Sequence, residues 1–179
     1  MSLKASVYIA TSLDGFIARK NGNIDWLPTD SEDGEDFGYA AFMSDIDHIV
    51  MGRNSFEKVL TFGSWPYEKK VIVLTSRDLT IPPELTEKVE ALHLSPPNLI
   101  HELELRGARH IYLDGGVTIQ RSLREGLVNE LTITTIPILL GEGLPLFGTL
   151  HQDIHLKLLN SHTFQNGFVQ NKYQIQRSG

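Results

Sequence analysis

The chain of 179 residues has no cysteine. That excludes disulfides, thiolate zinc sites, iron–sulfur ligation and thiol nucleophiles together. It also excludes the zinc deaminase signature, His-x-Glu with Pro-Cys-x-x-Cys. No apolar run approaches about 18 residues, the length a membrane-spanning helix needs. Positive charge is scarce: 16 Lys and Arg face 22 Asp and Glu, for a formal net charge of −6. A general nucleic-acid or anionic-membrane surface does not fit that balance. There is no GxGxxG, no P-loop and no GxSxG. Met1-Ser2-Leu3-Lys4 lacks the apolar core of a signal peptide, and residues 1–3 read as an expression scar. No repeat or Pro/Gly/Ser linker divides the chain. The expectation is one cytosolic domain spanning 1–179, apolar enough at 41% hydrophobic to fold unaided.

Short apolar runs alternate with helix-like segments. Strands are expected at Ala5–Ala10, His48–Met51, Val71–Leu74, Val89–Leu94, His110–Leu113 and Glu130–Leu140, with Pro137 a bulge or edge residue in the last. Helices are expected at Glu35–Ser44, Asn54–Leu60, from Ser95-Pro96-Pro97 to Arg106, and at Thr118–Arg124. Two alternating runs, His155–Phe164 and Phe168–Ile175, flank Asn166-Gly167, a hairpin signal. This pattern predicts an α/β fold: a mostly parallel sheet with helices on both faces and a C-terminal antiparallel hairpin. Ligands in such sheets sit at the carboxyl ends of strands, where the segments Thr11–Trp26, Gly52–Ser55, Thr75–Arg77 and Asp114–Thr118 should converge.

Three junctions suit phosphate. Gly52-Arg53-Asn54-Ser55 runs from a strand into a helix, whose free N–H groups favour an anion; a plain capped turn is the alternative. Thr75-Ser76-Arg77 offers two hydroxyls and a guanidinium, suited to a phosphate monoester such as the 2′-phosphate of NADPH, or else a solvated turn. In Asp114-Gly115-Gly116-Val117-Thr118, paired glycines would let a pyrophosphate lie on backbone N–H groups; a tight turn is the alternative. Asp14 and Asp36 are candidates for buried acid chemistry, against a turn former and a helix-start acid. Trp26 walls a ring pocket or simply packs in the core. His151 and His155 read as surface residues, and Gly141-Glu142-Gly143 as a mobile turn with a role in closing the site.

Read in order, Ser12-Leu13-Asp14-Gly15-Phe16-Ile17-Ala18, Trp26-Leu27-Pro28, Met51-Gly52-Arg53-Asn54-Ser55-Phe56-Glu57, Leu113-Asp114-Gly115-Gly116 and Ile136–Phe147 resemble the dihydrofolate reductase-like superfamily. Within it, the chain is similar to the reductase domain of the bacterial riboflavin-pathway deaminase–reductase, as a stand-alone member, from about Ala5 to Ile175. The resemblance implies a three-layer α/β/α fold and hydride transfer from NADPH to a small heterocycle of the pterin or ribosylamino-pyrimidine class. It implies that Gly52, Arg53 and Ser55 hold cofactor phosphate, and that Thr75, Ser76 and Arg77 take the 2′-phosphate. Gly115, Gly116, Val117 and Thr118 would lie against the pyrophosphate, with Ala10, Ile17 and Ala18 bordering the nicotinamide. Asp36 falls on the carboxylate with which folate reductases grip the pterin, and Thr134 near the threonine that supports it. Thr11–Trp26 would be a mobile lid. Dihydrofolate reduction itself and a non-catalytic nucleotide-binding module stand as alternatives. Apolar strand edges further predict a homodimer.

Overall fold

Apolar runs along the chain become strands whose successive side chains enter opposite layers. The computed structural model describes residues 2–28 and 34–177, so Met1 of the expected scar lies outside them. In β3 (His48–Gly52), Ile49 and Met51 face one layer and Val50 the other. In β4 (Lys70–Leu74), Val71 and Val73 face the first layer, Ile72 and Leu74 the second. Alternation of this kind, apolar on both sides, belongs to a strand covered by helices above and below.

Strands β1 (Lys4–Ser12), β5 (Val89–Leu92), β6 (His110–Asp114) and β7 (Glu130–Ile136) join β3 and β4 in the parallel part of one eight-stranded sheet. The hairpin strands β9 (Leu156–Thr163) and β10 (Val169–Ile175) complete it, in the order β5-β4-β3-β6-β1-β7-β10-β9. Helices α3 (Pro96–Leu105) and α4 (Gly116–Arg124) place Leu99, Leu103, Ile119 and Leu123 on one face. Helices α1 (Tyr39–Ser44) and α2 (Arg53–Leu60) place Phe42 and the fully buried Phe56 on the other. The result is the expected three-layer α/β/α fold with an antiparallel C-terminal hairpin.

Three expected boundaries need correction. β7 stops at Ile136 rather than Leu140, because Pro137 has no N–H to donate to the ladder. α1 begins at Tyr39, not Glu35, because Gly38 (φ 83) and Phe37 (φ 57) are left-handed and cannot continue a helix backwards. β5 ends at Leu92, two residues early. Two short strands went unpredicted. Phe16–Ala18 (β2) and Leu144–Pro145 (β8) pair in a separate two-stranded sheet beyond the ends of β1 and β7.

Candidate active site

The carboxyl ends of β1, β3, β4, β6 and β7 meet at one end of the sheet, and the glycine-bearing junctions touch there. Gly52 closes β3 and Gly115 follows β6, strands that are neighbours in the sheet. A Cβ on Gly115 would stand 2.3 Å from the Ser55 hydroxyl, and one on Gly52 would stand 3.1 Å from the Thr118 hydroxyl. A Cβ on Gly116 would stand 2.9 Å from Ile17 Cδ1. Three segments far apart in sequence are therefore in contact only because these positions carry no side chain.

Both helices that start here have bare ends. Gly52 and Gly115 are the N-caps of α2 and α4, and neither end has a side-chain cap. α3 differs: its Ser95 cap accepts from the Asn98 N–H. The first turns of α2 and α4 therefore lie at the positive ends of two helix dipoles with no side-chain cap.

Arg53 bridges the next strand. Its Nε donates to Glu57 at 2.9 Å, and its Nη1 to the Asp78 carbonyl at 2.9 Å and the Thr75 hydroxyl at 3.4 Å. The Gly52–Ser55 and Thr75–Arg77 motifs are one surface. Thr75 Oγ1 also accepts from the Arg77 N–H, folding the turn back, while Ser76 and Arg77 remain exposed.

Asp14 is a clasp rather than a buried acid. It is exposed, accepts from the Ser12 hydroxyl at 2.6 Å, and takes the Leu140 and Gly141 N–H groups at 3.1 and 2.8 Å. Those hydrogen bonds, Ser12's foremost, hold its carboxyl below the usual aspartate range. It ties the loop after β1 to the loop after β7. The β2–β8 pair extends the same tie: Ala18 pairs with Leu144, and Gln120 of α4 donates to the Pro145 carbonyl at 2.9 Å. Val117, on the first turn of α4, is exposed.

The aromatic side of the site lies over β1, β7 and β10. Trp26, Ile136 and Phe168 form a cluster bordered by Ala10, Leu27, Phe37 and Phe164. The Trp26 indole N–H is buried and has no partner among the described residues. Ala10 registers with Thr134, and Thr134 with Gln170, so the three sit in one row across the sheet.

Asp36 is not the expected buried carboxylate. It is exposed and accepts from the Ala40 and Gly38 N–H groups, each at 3.0 Å; these hold its pKa down and make it a helix-start acid. Thr134 does not support it, because the Thr134 hydroxyl accepts from Gln170 at 3.0 Å instead. Sequence reasoning missed Gln170 and also Tyr8, whose phenol burial pushes up to about 12. It missed the environment of Asp114 as well. Burial raises that carboxyl, which takes the Gly115 N–H at 2.8 Å and has Tyr67 as its side-chain partner. His151 and His155 are exposed and four residues apart in a stretch without helix.

The RibD C-terminal domain family matches residues 5–170. The chain belongs to that family. It is 34% identical over 170 residues to the uncharacterized protein YwjB of Bacillus subtilis (strain 168), covering 92% of this chain and 94% of that one. YyaP of the same organism is 32% identical over 175 residues, covering 92% and 91%. A crystal structure of a protein from Shewanella sp. PV-4 ascribed to riboflavin biosynthesis superposes with a TM-score of 0.93 at 40% identity, over 98% of this chain and 100% of that one. The fold recurs at 16% identity in a Thermotoga maritima diaminohydroxyphosphoribosylaminopyrimidine deaminase/5-amino-6-(5-phosphoribosylamino)uracil reductase. There the TM-score is 0.73, over 98% of this chain and 57% of that one. Among the described residues of this chain, no helix is long and apolar enough to cross a membrane.

Proposed function

We propose that the chain is a reductase that delivers hydride from NADPH to a small nitrogen heterocycle, of the ribosylamino-pyrimidine or pterin class. The observation that carries this reading is the pair of uncapped helix ends at Gly52 and Gly115, joined through Ser55 and flanked by Arg53 and Thr75. Backbone N–H groups of two helices suit a pyrophosphate, and the glycines let the two helix starts, with the Ser55 and Thr118 hydroxyls, stand close enough to share one. Arg53, Ser55, Gly116, Val117 and Thr118 would line that stretch. Thr75, Ser76 and Arg77 would take the 2′-phosphate, since a guanidinium with hydroxyls suits a dianionic monoester.

NADPH supplies the hydride. The chain's own residues orient and dehydrate the reacting pair. Ala10, Ile17 and Ala18 would border the nicotinamide, and Trp26 with its aromatic neighbours would wall the heterocycle. The β2–β8 pair and the Asp14 clasp would cover the gap and exclude water. Asp36, ionised and spent on two backbone N–H groups, is a poor proton donor, which leaves water as the source of the proton that follows the hydride.

Thermal unfolding with NADPH, with NADH and without ligand tests the cofactor assignment. A hundredfold excess of ligand over Kd adds about 2.7 kcal/mol to stability. A large rise with NADPH and a small one with NADH is expected. No rise with either nucleotide refutes the reading.

A further inference from the structure

Three side chains of the β1–β7–β10 row share one hydrogen-bond network. Gln170 Nε2 donates to the Phe37 carbonyl at 2.9 Å and also meets the Thr134 and Tyr8 hydroxyls at 3.0 and 3.1 Å. The Tyr8 hydroxyl donates to the same Phe37 carbonyl. A carbonyl can only accept, so the nitrogen of the Gln170 amide must face it and the amide oxygen cannot. The single Tyr8 proton is spent on Phe37, and burial keeps the phenol protonated. Thr134 accepts from Gln170 and has no acceptor for its own proton among the described residues.

Among the described residues two functions are left over: the Gln170 Oε1 acceptor and the Thr134 hydroxyl proton. An acceptor beside a donor matches a ring edge with N–H next to C=O, a neutral lactam. An amino-amidine edge, which turns cationic on protonation, asks instead for a carboxylate. Asp36, the carboxylate that the resemblance brings nearest to this role, is exposed and committed to its own helix.

We propose that Gln170, with Thr134, is the specificity determinant of this site, selecting lactam rings over amino-amidine rings. The proposal rests on the reductase reading for why a ring binds here at all. It accounts for a carboxamide in the row where a pterin-gripping site would need an anion.

The test is titration calorimetry of the full chain with pteridine-2,4-dione and 2,4-diaminopteridine, rings of one size that differ in this edge. Each is titrated with and without NADPH. The wild type should bind the dione about fivefold to a hundredfold more tightly, since an unmatched buried polar group costs about 1–3 kcal/mol. Gln170→Glu should reverse the preference, and its gain for the diamino ring should fade as acid protonates the new carboxylate. Should that variant fail to fold, Thr134→Val is the second probe, and it should lose the dione preference without gaining the diamino ring. Equal affinities, a wild-type preference for the diamino ring, or no binding of either ring overturns the proposal. Loss of the NADPH effect alone would count against the reductase reading, because the ring preference is still read without cofactor.

Discussion

Ser55 occupies the space that a side chain on Gly115 would need. Gly115 has φ +88, and its Cβ would lie 2.3 Å from Ser55 Oγ and 3.4 Å from Ser55 Cβ. The start of α2 and the start of α4 are held at contact distance by this one pair. Gly115→Ala therefore meets both a left-handed backbone and a clash, and should cost about 1–3 kcal/mol of stability. Gly115→Ala with Ser55→Gly should recover the steric part and leave the backbone part. Urea unfolding of the two variants separates them. Full stability of Gly115→Ala would show that the junction yields.

Arg77 is exposed, and only its backbone meets Thr75. Arg77→Ala should leave the unfolding temperature without ligand unchanged. It should weaken NADPH by about tenfold to a hundredfold, the worth of a charged hydrogen bond at about 1.5–3 kcal/mol, and leave NADH unaffected. Equal loss for both nucleotides would move the 2′-phosphate elsewhere.

The Asp14 clasp has a defined pH sense. Its pKa is lowered in the folded chain, so the ionised form is favoured there. Its contribution is full above the ordinary aspartate pKa and fades as pH falls through the lower folded value. The protection of the Leu140 and Gly141 amides, their exchange measured against the intrinsic rate at each pH, should be high at neutral pH and fall in acid. In Asp14→Ala it should be low at both. Unchanged exchange in the variant would remove the clasp.

β9 is an edge strand exposed along its length, with Leu156, Leu158 and Leu159 at 40, 54 and 43% exposure. Such an edge invites pairing. Light scattering at micromolar concentration should give twice the 20.1 kDa chain mass. Leu158→Glu should give the single mass with an unchanged circular dichroism spectrum. A wild-type monomer would refute the dimer.

Much of the sheet was legible because apolar runs such as Val71–Leu74 and Ile111–Leu113 are buried on both faces and announce themselves. The two glycine junctions, after β3 and β6, and the Thr75-Ser76-Arg77 turn after β4 were legible for the same reason: each follows such a run. Boundaries set by single dihedrals were not, as at Phe37 and Gly38 ahead of α1. β2 and β8 have three and two residues, too few for a period, and exist only through each other. Gln170 looked like one polar position in an alternating hairpin strand. Its place beside Thr134 and Tyr8 is a matter of register, which no local pattern carries. Asp36 misled for the opposite reason. Its position in the sequence matched a pterin-gripping carboxylate, while two nearby N–H groups had already claimed it.

The Asp14 clasp and the β2–β8 pair have a consequence for engineering. Residues 126 and 127 positions apart hold each other through Asp14. Gly143 is bound into the same structure, since a Cβ there would lie 2.3 Å from the Ala18 carbonyl. The two arms are a single part made from two stretches of chain. A loop graft that replaces one arm alone would leave Asp14 without its amides or the amides without Asp14. Arms exchanged together, with Ile17 kept against Gly116, would carry their own closure into a new scaffold.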